Sequence, residues 1–165
     1  MENLAWKKKG DAYYLASPTQ ELVKLHYELI HKVVFWVSDE VYEVQRSGLW
    51  NQRYAVYRNN EEVLSVSHNF WGSKGKINFS DGSNYATDYK YKNNLTLRFL
   101  DGESEILSYS VGMENGKRKA IFDIGIALID AERLLLLATL GMVMFLNIFS
   151  EFNDGLNNDL LVLIA

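Results

Sequence analysis

The sequence predicts a mainly β domain of α+β class, a closed antiparallel barrel of about ten to twelve strands around one hydrophobic C-terminal helix. Two observations predict the barrel and a third the helix. Apolar and polar residues alternate with a period of two through most of the chain, the pattern of half-buried strands. Asp81-Gly82, Asp101-Gly102 and Asn115-Gly116 separate alternating runs, and such dipeptides supply the positive φ angles of tight hairpins. Near the end, Leu134 to Phe149 run for sixteen residues, LLLLATLGMVMFLNIF, without a charge.

Taken in order, residues 17 to 37 carry two competing signals. Ser17 suits a helix N-cap, Pro18 the first helical position and Gln20 the far side of a capping box. Leu22, Leu25, Leu29, Val33 and Val37 then share a helical stripe, which predicts a short helix over about Pro18–His31. Val33-Val34-Phe35-Trp36-Val37 is β-branched and aromatic and predicts a strand to Val37. Val41–Arg46, Arg53–Arg58 and Val63–His68 continue as strands, with Asn59-Asn60 as a turn. Lys76–Ser80 and Tyr85–Tyr91 flank Asp81-Gly82. Leu95, Leu97 and Phe99 lie on one strand face with Thr96 and Arg98 on the other, and Leu107, Tyr109 and Val111 repeat the device after Asp101-Gly102. Arg118–Ile124 follows Asn115-Gly116.

The helix is placed over about Asp130–Phe149, with Asp130 as its N-cap and Glu132 in the first turn, where the helix dipole favours an anion. Sixteen uncharged residues reach about 24 Å as a helix, short of a hydrocarbon core of roughly 30 Å. Extension toward the N-terminus meets Arg133, Glu132 and Asp130, which are costly in lipid, and no Lys or Arg follows Phe149. A helix apolar on every side is therefore expected inside the domain, with Gly141 allowing close packing against the wall. A membrane-anchored β domain using Leu134–Phe149 is the alternative.

The 165 residues suffice for one domain with a full core, residues 1–165 with its centre over about 32–149. With no cysteine, disulfides, thiolate metal sites and cysteine nucleophiles are excluded, and a reducing, cytoplasmic setting is expected, with peripheral membrane contact as the one extension of it. MENLAWKKKGDAYYL places no apolar run behind Lys7-Lys8-Lys9, so no signal peptide is expected. A net charge of −4 argues against nucleic acid as a partner. His26 and His31 are five apart, unlike the i, i+4 pair of zinc hydrolases, so no metal site or cofactor is expected. Gly72-Ser73-Lys74-Gly75-Lys76 lacks the strand–loop–helix setting of a phosphate loop and reads as a hairpin turn. Asp123, Asp130 and Glu132 could serve acid–base chemistry, but capping accounts for Asp130. No catalytic residue emerges, and the chain is not expected to be an enzyme.

A β-meander closing around a hydrophobic C-terminal helix resembles the tubby C-terminal-like fold, whose superfamily includes the phospholipid scramblases and the LURP-one-related proteins. The residues carrying the resemblance are Phe35-Trp36-Val37-Ser38-Asp39, Tyr42-Glu43-Val44, Tyr54-Ala55-Val56-Tyr57 and Leu97-Arg98-Phe99, then Asp130-Ala131-Glu132-Arg133-Leu134-Leu135-Leu136-Leu137 leading into the helix. The resemblance covers about Lys32 to Phe149 and is one of architectural order. It implies a barrel surface that meets membrane lipid. The acidic calcium-binding segment and the cysteine-rich palmitoylation site of the scramblases are not matched, so scrambling is not implied. Headgroup binding would need basic side chains, and the candidates are Lys74 and Lys76 beside Trp71, Lys90 and Lys92 on one strand, and Lys117-Arg118-Lys119 after a turn. The competing reading of each cluster is a solvated strand face or turn. The expected function is thus a non-enzymatic binding domain for an anionic lipid headgroup or a protein partner. A lipocalin-like carrier is the remaining alternative, opposed by a helix that would fill its cavity.

Overall fold

The computed structural model describes residues 4–27, 32–48, 51–69, 73–91 and 95–152. Twelve antiparallel strands follow the chain: β1 (Ala5–Lys9), β2 (Ala12–Ala16), β3 (Glu21–Tyr27), β4 (Lys32–Val37), β5 (Glu40–Ser47), β6 (Asn51–Arg58), β7 (Glu61–Asn69), β8 (Lys74–Phe79), β9 (Asn84–Tyr91), β10 (Leu95–Asp101), β11 (Ser104–Glu114) and β12 (Lys117–Ile124). Each pairs with the next, so the sheet order is the sequence order, an up-and-down meander curled into a nearly closed barrel. One helix, α1 (Ala131–Phe152), follows β12 and packs against β3, β4, β10 and β11.

The alternation that predicts the strands becomes the inside and outside of the wall. Leu95, Leu97 and Phe99 are buried while Thr96 and Arg98 between them are half-exposed, and Leu97 stands opposite Tyr109 in the ladder. Turn chemistry follows the sequence closely. Asn59 and Asn60 both adopt positive φ, as do Asn115 and Gly116, which is the two-residue hairpin geometry that matches strand twist. At Asp101-Gly102 the loop sits one residue later than the dipeptide predicts: Asp101 pairs with Ser104, and of the two loop residues only Gly102 has positive φ. Register shifts occur at Leu15/Ala16, Val56/Tyr57 and Phe99/Leu100, near the turns that follow β2, β6 and β10. Those turns share one end of the barrel, and bulges there add the local twist that curls a sheet closed.

The helix expected over Pro18–His31 is not formed. Residues Glu21–Tyr27 are strand β3, and residues 28–31 lie outside the described residues. The capping signal is real but closes a hairpin: Ser17 Oγ accepts from the backbone N–H groups of Thr19 and Gln20 at 3.3 and 3.2 Å, and Ser17 N–H donates to the Gln20 carbonyl at 2.9 Å. Ser and Thr hydroxyls satisfy turn amides by the same local bonds that cap helices. Val23 and Leu25 then alternate inward as period two requires.

The C-terminal helix is where the sequence places it. Asp130 Oδ1 accepts from the Arg133 N–H at 3.0 Å, the N-cap bond, and Leu134 N–H donates to the Asp130 carbonyl at 3.0 Å. Every residue from Leu134 to Leu146 is buried, on all sides of the helix. Ala131–Phe149 is long and apolar enough to cross a membrane by length and composition, yet 78% of it is buried within the barrel. Eight strands close on side chains alone, whereas twelve leave room for a helix roughly 10–12 Å across. A Cβ at Gly141 would lie 2.7 Å from Tyr109 Cε2 and 3.0 Å from Phe99 Cε2, so the helix reaches the wall there only because the residue is glycine. Its polar groups are matched from the wall: Tyr27 and Tyr54 flank the Asn147 amide, and the Tyr109 hydroxyl donates to the Ala138 carbonyl at 2.6 Å. Trp6 Nε1–H donates to the same hydroxyl at 2.8 Å, joining β1 to β11 across the seam between the first and last strands.

Candidate functional site

With its interior occupied, the barrel offers chemistry on its outer face and at its ends. On the outside, register decides which of the basic residues meet. Lys74 and Lys76 are both exposed on β8, and Lys90 is exposed on β9, one ladder step across and two residues along from the Lys74–Asp88 pair. Arg98 of β10 stands opposite Asp88 on the same face and holds it bidentately, Nε at 2.8 Å and Nη2 at 2.6 Å. The side chain of Asp88 is only 12% exposed, so its charge is taken up by Arg98 before it can reach a lysine. The hydrogen bond to Asp88 raises the Arg98 pKa further. Lys74, Lys76 and Lys90 form no ion pair among the described residues. The barrel therefore presents three free ammonium groups beside a neutralised Asp88–Arg98 pair.

The other basic candidates do not join them. Lys119 is half-buried on β12, opposite Gly112, and two strands lie between it and Lys90, so the three inter-strand steps put them roughly 14 Å apart. Lys117 and Arg118 occupy β12 opposite Glu114 and Met113. Lys92 and Trp71 lie outside the described residues. Lys74-Gly75-Lys76 is strand, part of the β7–β8 pairing through His68 and Gly75.

At the end of the barrel where α1 begins, a pocket of about 280 Å³ is lined by residues of five segments, among them Tyr42 of β5, Arg58 of β6, Phe79 of β8, Asp81 of the following turn, and Arg133 of α1. Arg133 anchors the helix to the rim. It pairs with Asp81, donates to the Tyr85 hydroxyl at 3.2 Å, reaches Asp130 Oδ2 at 3.1 Å, and lies over the Phe79 ring. Asp81 is held below the usual carboxylate range, first by the Ser83 hydroxyl and N–H and then by Arg133. Arg58 lies over the Tyr42 ring, with Nη1 3.7 Å from Glu132 Oε1. Burial raises the Tyr42 phenol above its ordinary value, with Arg58 pulling against it.

Among the described residues one histidine is internal. His68 is 7% exposed, lies edge-on to Tyr89, and has its Nε2 buried without a hydrogen-bond partner, as does Thr87 Oγ1. Burial lowers the His68 pKa to about 4, so the ring is neutral at pH 7.

Asp130 and Glu132 are the pocket residues weighed as chemical candidates from sequence. Tyr42, Arg58, Asp81 and Arg133 come from separate segments, and only the meander's register brings them to one rim. The class defined by this architecture is a helix-filled, up-and-down β-barrel. No family model, no curated protein and no solved structure matches the chain.

Proposed function

We propose that this chain is a binding domain that holds anionic lipid headgroups on the outer face of β8 to β10, a tubby-like barrel in architecture and in its use of lipid. One observation carries the reading: Lys74, Lys76 and Lys90 are exposed, share a face by register, and are left unpaired because Arg98 engages Asp88. Each basic residue near an anionic membrane surface is worth about 1 kcal/mol, so three give weak, salt-sensitive, peripheral attachment. The carrier alternative is disfavoured by the helix that fills the lumen, and the anchored alternative by the burial of that same helix.

The test is co-flotation of the purified chain with anionic and neutral vesicles at low salt, at high salt and in alkaline carbonate. The expected result is binding to anionic vesicles at low salt, reversed by high salt and abolished in K74E/K76E/K90E. Retention through carbonate would place α1 in the bilayer and overturn the reading. Absence of flotation would overturn it in favour of a protein partner.

A further inference from the structure

The rim pocket carries an inference independent of the lysine face. Its charged groups divide into two sets. Asp81, Asp130 and Arg133 are consumed by one another and by Ser83, Tyr85 and the first turn of α1. That network explains itself as the fastening of the helix to the rim. Arg58 and Glu132 remain. The polar neighbours of Arg58 are the Tyr42 hydroxyl, Glu40, which acts on it through charge alone, and Glu132, whose nearest oxygen at 3.7 Å is an ion-pair contact beyond hydrogen-bond range. Most of its five N–H donors therefore have no protein acceptor among the described residues. The Glu132 side chain is 63% exposed and, among the described residues, forms its ion pair with Arg58.

We propose that the pocket binds a short zwitterion, its anionic group on the Arg58 fork and its primary ammonium on Glu132. An anion alone would meet the Glu132 carboxylate and a cation alone the Arg58 guanidinium, so a molecule carrying both charges fits where either by itself is opposed. Val63 and Leu136 supply an apolar floor for the few atoms between the charges. The ammonium is recognised by hydrogen bonding, because the faces of Tyr42 and Phe79 are already covered by Arg58 and Arg133, leaving no aromatic cage for a quaternary ammonium. At this size and exposure the affinity is on the order of 1 mM.

Titration of the full chain followed by amide and arginine side-chain NMR shifts tests this, with O-phosphoethanolamine, phosphocholine, inorganic phosphate and ethanolamine at matched ionic strength. The expected result is saturable shifts around Arg58 and Glu132 with O-phosphoethanolamine, and binding about tenfold weaker for the other three. Arg58→Met and Glu132→Gln, both at exposed side chains, are expected to remove the preference while the far-UV circular dichroism spectrum stays that of the wild type. The K74E/K76E/K90E protein is expected to keep it, so failure of the headgroup face and failure of this pocket are read separately. Neutral vesicles with and without phosphatidylethanolamine identify the source of the zwitterion: Arg58-dependent flotation makes it a lipid headgroup, and binding of the free compound alone makes it a soluble metabolite. Equal binding of phosphate or phosphocholine, binding unchanged in Arg58→Met, or no shift at the pocket would overturn the proposal.

Discussion

Tyr109→Phe deletes one oxygen at the point where wall, seam and helix meet. Tyr109 is fully buried on β11, where it accepts from Trp6 Nε1–H at 2.8 Å and donates to the Ala138 carbonyl at 2.6 Å. Burial raises its pKa well above the ordinary phenol value, so the group is a neutral hydroxyl and donates throughout the working pH range. Losing the bond to Ala138 removes about 1 kcal/mol net, and stranding the buried Trp6 indole N–H adds about 1–3 kcal/mol. The expected destabilisation is about 2–4 kcal/mol, measured by urea unfolding followed by far-UV circular dichroism, with an unchanged m-value. Trp6→Phe removes the stranded donor, so the double variant should cost less than the two single changes added together, a coupling on the order of 1 kcal/mol. A Tyr109→Phe effect below about 0.5 kcal/mol, or strict additivity with Trp6→Phe, would refute the idea that this relay holds β1 against β11.

Gly141→Ala should destabilise by about 1–2 kcal/mol in the same assay, because overpacking against Tyr109 and Phe99 outweighs the helix-propensity gain of about 1 kcal/mol; a stabilised variant would mean that the rings give way freely. For His68, a folded pKa near 4 lies below the unfolded value near 6.5, so the unfolded chain binds the extra proton and stability falls as pH drops through that window. From pH 7 to pH 5 the wild type should lose about 2 kcal/mol more than His68→Phe, and parallel pH profiles would show that the ring is not buried neutral.

The barrel was legible because its signals are local and agree with one another. Alternation sets the inner face of each strand, the Asn-Asn and Asn-Gly dipeptides set hairpins, and Asp130 marks the start of a helix that no surface could tolerate. Residues 18–31 show where local reading fails. Ser17, Pro18 and Gln20 satisfy a turn with the groups that would cap a helix, and leucines at 22 and 25 sit on both a helical stripe and a strand. What decides is β4: Val33 to Val37 form a ladder with Tyr27 to Val23, and a strand lying beside them gains backbone bonds that a helix there would forgo.

The sites were less legible for a geometric reason. Lys74 and Lys76 share a face by their own spacing, but that Lys90 joins them while Lys119 does not depends on cross-strand register, which the sequence leaves to the turns. The rim pocket is further from view, since its residues come from five segments and meet only when the sheet curls. The helix that fills the lumen bears on both proposals. Leu134 to Leu146 occupy the space that an up-and-down barrel would otherwise give to a ligand, so the proposed recognition falls on the outer wall and the rim. Both proposed surfaces depend on ion pairs satisfied elsewhere: Arg98 takes Asp88 and leaves the lysines open, and Arg133 takes Asp81 and Asp130, so that Arg58 and Glu132 face each other in a loose pair at 3.7 Å. Arg98→Met should therefore release the Asp88 carboxylate toward Lys74 and weaken anionic-vesicle binding although no lysine has changed, and Asp88→Asn/Arg98→Met, which removes the released carboxylate, should restore it.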